Sequence, residues 1–89
     1  MLQRELVLTN RRGLHARAAT RLVQCCQPYS ARVTVRHGSK TADASNIMSL
    51  LMLAAPCTSV VTVQVEGDDA HQALDAIVAL FEARFDEEQ

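Results

Sequence analysis

Residues 60–66 read Val-Val-Thr-Val-Gln-Val-Glu, with Val61, Val63 and Val65 alternating against Thr62, Gln64 and Glu66. A period of two sends successive side chains to opposite faces of an extended chain, so this segment is a strand with one apolar and one polar face. Such a strand must pair along its edges and be covered on a single side. The rest of the chain supplies both. Residues 2–9 read as a strand with Leu6 and Leu8 inward, and residues 31–36 alternate with Val33 and Val35 on one face. A turn at His37-Gly38-Ser39 leads into a short return strand, Lys40 to Asp43.

Helical periodicity fills the gaps. From Ala16 to about Gln27 the apolar positions Ala19, Leu22, Val23 and Cys26 recur at helical spacing, and Pro28 ends the run. Ser45 or Asn46 can cap a short helix over residues 47–53 that stops near Pro56. Gly67-Asp68-Asp69 caps a last helix whose Leu74, Ile77, Val78, Phe81 and Phe85 fall on one stripe. The order is βαββαβα. Amphipathic helices alternating with half-apolar strands predict a two-layer α+β sandwich with a largely antiparallel sheet.

At 89 residues and 9.8 kDa, with no linker or repeat, the chain reads as one domain spanning residues 1–89. Nine basic and ten acidic residues leave a net charge of −1, which argues against a strongly basic nucleic-acid module or a polybasic membrane anchor. A nucleic-acid reader would also need stacking aromatics, and only Tyr29, Phe81 and Phe85 exist, none on an exposed strand face. No apolar run suits membrane insertion, and the first residues carry no export signal, so a cytoplasmic protein is the expectation, and a monomer is expected alongside. Charge is nonetheless polarised. Eight of the nine basic residues lie within positions 1–40 against one acid there, whereas the remainder holds Arg84 alone against nine acids. Cys25, Cys26 and Cys57 lack metal-ligand spacing and are expected to be reduced, as small packing residues or inert surface thiols. His37 and His71 have no nucleophile–base or metal partners nearby in sequence and are expected at the surface without function.

Chemistry concentrates in Gly13-Leu14-His15-Ala16-Arg17, where a histidine stands between a glycine turn and the first turn of a helix. The first N–H groups of a helix lack intrahelical acceptors and carry the positive end of its dipole, so an anion is bound there by backbone alone. That same positive end favours a neutral, nucleophilic imidazole. Arg17 adds a planar charged donor suited to phosphate oxygens. His15 is thus a candidate phosphoryl acceptor, with Ala16 and Arg17 supplying backbone donors.

The stretch Asn10 to Arg17 resembles the active-site signature of the HPr family, the histidine phosphocarriers of the bacterial phosphotransferase system. Ser45 to Ala55 resembles the family's second-helix segment, and Ala79 to Glu88 resembles the carboxyl end of proteobacterial members. The resemblance implies an open-faced β-sandwich, a four-stranded sheet covered on one face by three helices. It implies that His15 is phosphorylated on Nδ1 by enzyme I, charged from phosphoenolpyruvate, and passes the group to an enzyme IIA domain. Arg17 would steady the phosphoryl group. Ile47, Met48 and Leu51 would form the docking patch, flanked by Thr20, Arg21 and Gln24. No cofactor or metal is implied, and the protein would be a carrier in sugar transport and not an autonomous enzyme. Leu50-Leu51-Met52-Leu53 resembles the nitrogen-regulatory branch, which is the alternative role.

Three positions depart from the family pattern. Ala18 stands where most members carry proline, Asn46 occupies the position of a regulatory serine, and Pro56-Cys57-Thr58 replaces a glycine-containing turn. The phosphate donors nearest His15 are unaffected by the first. Ser45 adjoins Asn46, but its side chain is expected to point elsewhere. The third predicts an altered exit from the second helix.

Overall fold

A computed structural model describes residues 1–87. Strands β1 (Leu2–Val7), β2 (Arg32–His37), β3 (Lys40–Asp43) and β4 (Val60–Glu66) alternate with helices α1 (Ala16–Cys26), α2 (Ile47–Leu51) and α3 (Ala70–Glu82) in the expected order. The sheet runs β1-β4-β2-β3, with every pairing antiparallel. β4 therefore lies inside the sheet although it is the last strand in sequence. Val61, Val63 and Val65 are buried on its covered face, opposite Leu6, Val33 and Val35 of its neighbours or their adjacent pairs. All three helices lie on that face, and α1 contributes Ala18, Ala19 and Leu22, α2 Leu50, and α3 Ala70, Ala73, Ile77 and Phe81. Alanine at these helix positions lets backbones approach the sheet closely without leaving voids.

Several boundaries differ from expectation for local reasons. β1 ends at Val7, yet Leu8 is wholly buried and still paired through Leu8 N–H to Ser59 C=O at 2.9 Å and Thr58 N–H to Leu8 C=O at 2.7 Å. β2 is shifted by one residue, to 32–37, and His37 belongs to it; its half-buried ring has Nδ1 3.1 Å from the Leu53 carbonyl instead of lying free at the surface. Thr62, placed by alternation on the solvent face, is 6% exposed because its strand is flanked by β1 and β2. α2 closes at Leu51, two residues early, while Leu53 is still buried. α3 ends at Glu82, so Phe85 is not on its stripe. Phe85 instead sits in a 3₁₀ turn, Arg84–Asp86, fully buried with its ring centroid 4.8 Å from that of Phe81.

That turn is left-handed: Arg84, Phe85 and Asp86 have φ of 55°, 57° and 60°. Left-handed backbone costs an L-residue roughly 1–2 kcal/mol. Burying the Phe85 ring stabilises by about 3 kcal/mol, which offsets much of that cost and fixes the direction in which the chain leaves α3. It leaves toward the start of α1.

Candidate functional site

The loop before α1 is seated by backbone. Gly13 has φ of 65°, and a Cβ there would lie 2.4 Å from the Ala55 carbonyl oxygen and 2.6 Å from the Pro56 carbonyl carbon. Leu14 N–H donates to Ala55 C=O at 2.9 Å, so the loop rests on the segment that follows α2. Only glycine meets both the positive φ and the close approach. Asn10 locks the loop from inside. Wholly buried, it donates through Nδ2 to Gly13 C=O at 2.6 Å and to Glu87 Oε1 at 2.7 Å.

His15 is the N-cap of α1, in extended conformation at φ −87° and ψ −177°. Its Nδ1 faces the helix and accepts from Arg17 N–H at 3.4 Å, while its carbonyl accepts Ala19 N–H at 2.8 Å. A histidine in the N-cap position aims one ring nitrogen at the unpaired first-turn amides. The other nitrogen, Nε2, contacts Glu87 Oε2. The ring is half-buried, held between the helix start and the segment beyond α3.

Charge around this ring is dense. Arg11, Arg12 and Arg17 line an open cleft with Asp86 and Glu87, and Arg21 approaches Asp86 at 3.6 Å. Burial raises the Glu87 carboxyl, but hydrogen bonds from Asn10 and His15 and the nearby Arg17 outweigh it, so the carboxyl titrates below its ordinary value. Much of the amino-terminal positive charge thus meets carboxyl-terminal acids here, which is how the two polarised halves are reconciled.

The remaining candidate residues lie on α1 and α2, two helices in contact with each other. Ala16, Arg17, Thr20, Arg21 and Gln24 share a shallow face of α1, and Thr20 Oγ1 donates to Ala16 C=O at 2.8 Å. On α2, Met48 is 67% exposed, whereas Ile47 and Leu51 are half-buried and pack against the core. Met52, just past the helix, is 70% exposed and widens the apolar patch. Asn46 is the cap of α2, its side chain accepting Ser49 N–H at 3.0 Å, and the Ser45 hydroxyl donates instead to Asp43. Ala18 is wholly buried in the first turn of α1. The exit from α2 uses non-glycine residues with positive φ, Ala54 at 51° and Thr58 at 76°.

Burial acts on two of the three thiols. Burial pushes Cys26 up to about 12, reinforced by Cys25 and Asp43, and burial raises Cys25 as well. Sequence reasoning missed Glu87, Asp86 and the buried role of Asn10. Asn10 carried a signal, since a small amide at a loop start commonly bonds local backbone. Glu87 carried none, because it reaches His15 only through three consecutive left-handed residues.

The site is therefore a histidine at a helix start with one ring nitrogen turned to the first-turn amides, and comparison with known proteins shows the family. Residues 2–83 match the family described as "PTS HPr component phosphorylation site". The chain is 40% identical over 88 residues to phosphocarrier protein HPr of Xylella fastidiosa, covering 99% of each. It is 43% identical over 86 residues to phosphocarrier protein NPr of Shewanella violacea, covering 97% of this chain and 94% of that one. The crystal structure of HPr-C-His from Thermoanaerobacter tengcongensis superposes with a TM-score of 0.94 at 35% identity, covering both chains completely. The chain belongs to the HPr family of phosphocarrier proteins.

Proposed function

We propose that this protein is a cytoplasmic, monomeric phosphocarrier that takes a phosphoryl group on His15 Nδ1 from phosphorylated enzyme I and gives it to an enzyme IIA domain. The observation that carries this reading is the placement of Nδ1 against the first-turn amide of α1, with Nε2 turned away toward Glu87. The amides of Ala16 and Arg17 and the guanidinium of Arg17 would receive the phosphoryl oxygens. Exposed Met48, with Ile47, Leu51, Thr20, Arg21 and Gln24 around it, would dock both partners, methionine being able to repack against different surfaces. The protein would be a substrate with its own phosphate cradle, without turnover of its own.

Incubation with phosphoenolpyruvate and enzyme I, read by intact mass at neutral pH, should add one phosphoryl group. No gain with an active enzyme I would refute the proposal. The nitrogen-regulatory branch is a second reading, favoured by the 43% identity to a relative named NPr. Rates of transfer from the enzymes I of the sugar and nitrogen branches separate the two.

A further inference from the structure

The two contacts of the His15 ring are chemically interdependent. A backbone N–H can only donate, so its approach to Nδ1 requires a lone pair on that nitrogen. In a neutral imidazole the ring proton then resides on Nε2. Nε2 faces the carboxylate of Glu87, which can only accept. Each contact thus demands the same tautomer, and neither was needed to infer the other.

Glu87 is itself held. Its second oxygen accepts from Asn10 Nδ2, which is wholly buried and simultaneously bonded to the Gly13 carbonyl within the same loop. Phe85, buried against Phe81, and the Arg21–Asp86 pair at 3.6 Å tie the same segment to α3 and α1. A carboxylate so fixed, on the nitrogen opposite the reacting one, occupies the position from which acidic partners orient working histidines.

We infer that Glu87 is a positioning residue for phosphoryl transfer, holding the ring proton on Nε2 and presenting the Nδ1 lone pair to the incoming phosphorus. The inference rests on the carrier reading above and extends it to a residue 72 positions away in sequence. In the transfer step the Nδ1 lone pair forms the new N–P bond while the donor's bond to phosphorus breaks, its electron pair leaving with the donor. The His15 proton stays on Nε2, and the positive charge that the phosphorylated ring acquires is balanced by the Glu87 carboxylate. On onward transfer the N–P electrons return to Nδ1 and the ring is restored in its original tautomer.

The test pairs a long-range proton–nitrogen spectrum of the unphosphorylated, 15N-labelled chain at neutral pH with phosphoryl acceptance from phosphoenolpyruvate and enzyme I. In the wild type we expect a protonated Nε2, a bare Nδ1, and an Nε2 proton exchanging slowly enough to be seen. Glu87→Ala should preserve the backbone amide spectrum, lose the visible ring proton, and accept phosphate about tenfold more slowly, the lower end of the loss when the partner behind a working histidine is removed. Glu87→Gln, whose amide oxygen still accepts from Nε2, should recover the ring-proton signal and part of the rate. It also covers the case in which the alanine variant fails to fold. A wild-type proton on Nδ1, an equally protected ring proton in Glu87→Ala, or wild-type acceptance by that variant would each overturn the inference. A wild type that takes no phosphoryl group would instead sink the carrier reading, and the ring spectrum would still decide the tautomer.

Discussion

The start of α1 and the start of α3 are both preceded by a glycine loop and capped by a titratable residue, yet they are put to opposite uses. At α1, His15 turns one ring nitrogen onto its own helix, where it accepts from Arg17 N–H. At α3, Asp69 makes no side-chain bond to its helix. Its carboxylate reaches across to the loop before β2, accepting from Ser30 N–H at 2.8 Å and Ala31 N–H at 2.9 Å. The aspartate was expected to cap α3 and instead staples two segments 38 or more residues apart. One cap bonds its own helix; the other ties its helix to the loop before β2. A helix terminus therefore has no function by itself, and the direction in which its cap residue points decides its role.

Exchanging the caps for alanine should show the contrast most strongly. His15→Ala is expected to abolish phosphoryl acceptance while leaving the urea midpoint nearly unchanged, since the ring is half-buried and the cap bond is long. Asp69→Ala should do the reverse, accepting phosphate at the wild-type rate from a less stable fold. The backbone hydrogen bond from Ser30, helped by those from Ala31 and the Ser30 hydroxyl, holds the Asp69 carboxyl below its ordinary value. A carboxyl lowered on folding binds fewer protons in the native state, so its stabilisation is full above the ordinary aspartate range and lost as pH falls through the lowered value. The difference in urea midpoint between wild type and Asp69→Ala should accordingly shrink on acidification. Retained labelling of His15→Ala, or a pH-independent difference for Asp69→Ala, would erase the distinction.

Gly13→Ala addresses how the α1 start is seated. The new methyl group would meet backbone atoms of Ala55, Pro56 and Cys57 at 2.4–2.8 Å, and those atoms cannot turn aside as a side chain would. Combined with the positive φ, we expect a loss of about 2–3 kcal/mol and slower phosphoryl acceptance from the part that folds. Denaturant unfolding and acceptance rate measured on the same sample check both effects. Equal stability would mean that the loop is not pinned to the segment after α2, and that the precision of the His15 seat comes from Asn10 and the helix alone.

Much of this was legible in the sequence because alternation and helical stripes report burial directly. Val33, Val35, Val61, Val63 and Val65 are all core residues, and His15 was visible from its place after Gly13. Long-range consequences were not legible. Thr62 looks solvent-facing in its own strand and is buried only because β4 lies between β1 and β2. Phe85 continues the helical spacing of α3 but belongs to a left-handed turn that three residues without special propensity adopt. Glu87 follows from that turn, so the partner of the best-marked residue in the chain came from its least predictable segment. Local pattern identifies the histidine at the helix start, whereas tertiary closure supplies the carboxylate that contacts it.

The smallest expected effect lies on the platform beneath Gly13. Thr58 is β-branched and exposed, yet has φ of 76°, while its N–H donates to Leu8 C=O at 2.7 Å. Left-handed backbone costs a branched residue about 2 kcal/mol, and glycine avoids it while retaining the N–H. The greater freedom of glycine in the unfolded chain subtracts about 1 kcal/mol from that gain. Thr58→Gly should therefore stabilise the protein by about 1 kcal/mol with the Leu8 pairing kept. Because Thr58 touches neither cap, phosphoryl acceptance should not change. A stabilised variant that also transferred faster would show that strain in the platform reaches His15, and that the open helix start is less independent of its support than the contrast with Asp69 implies.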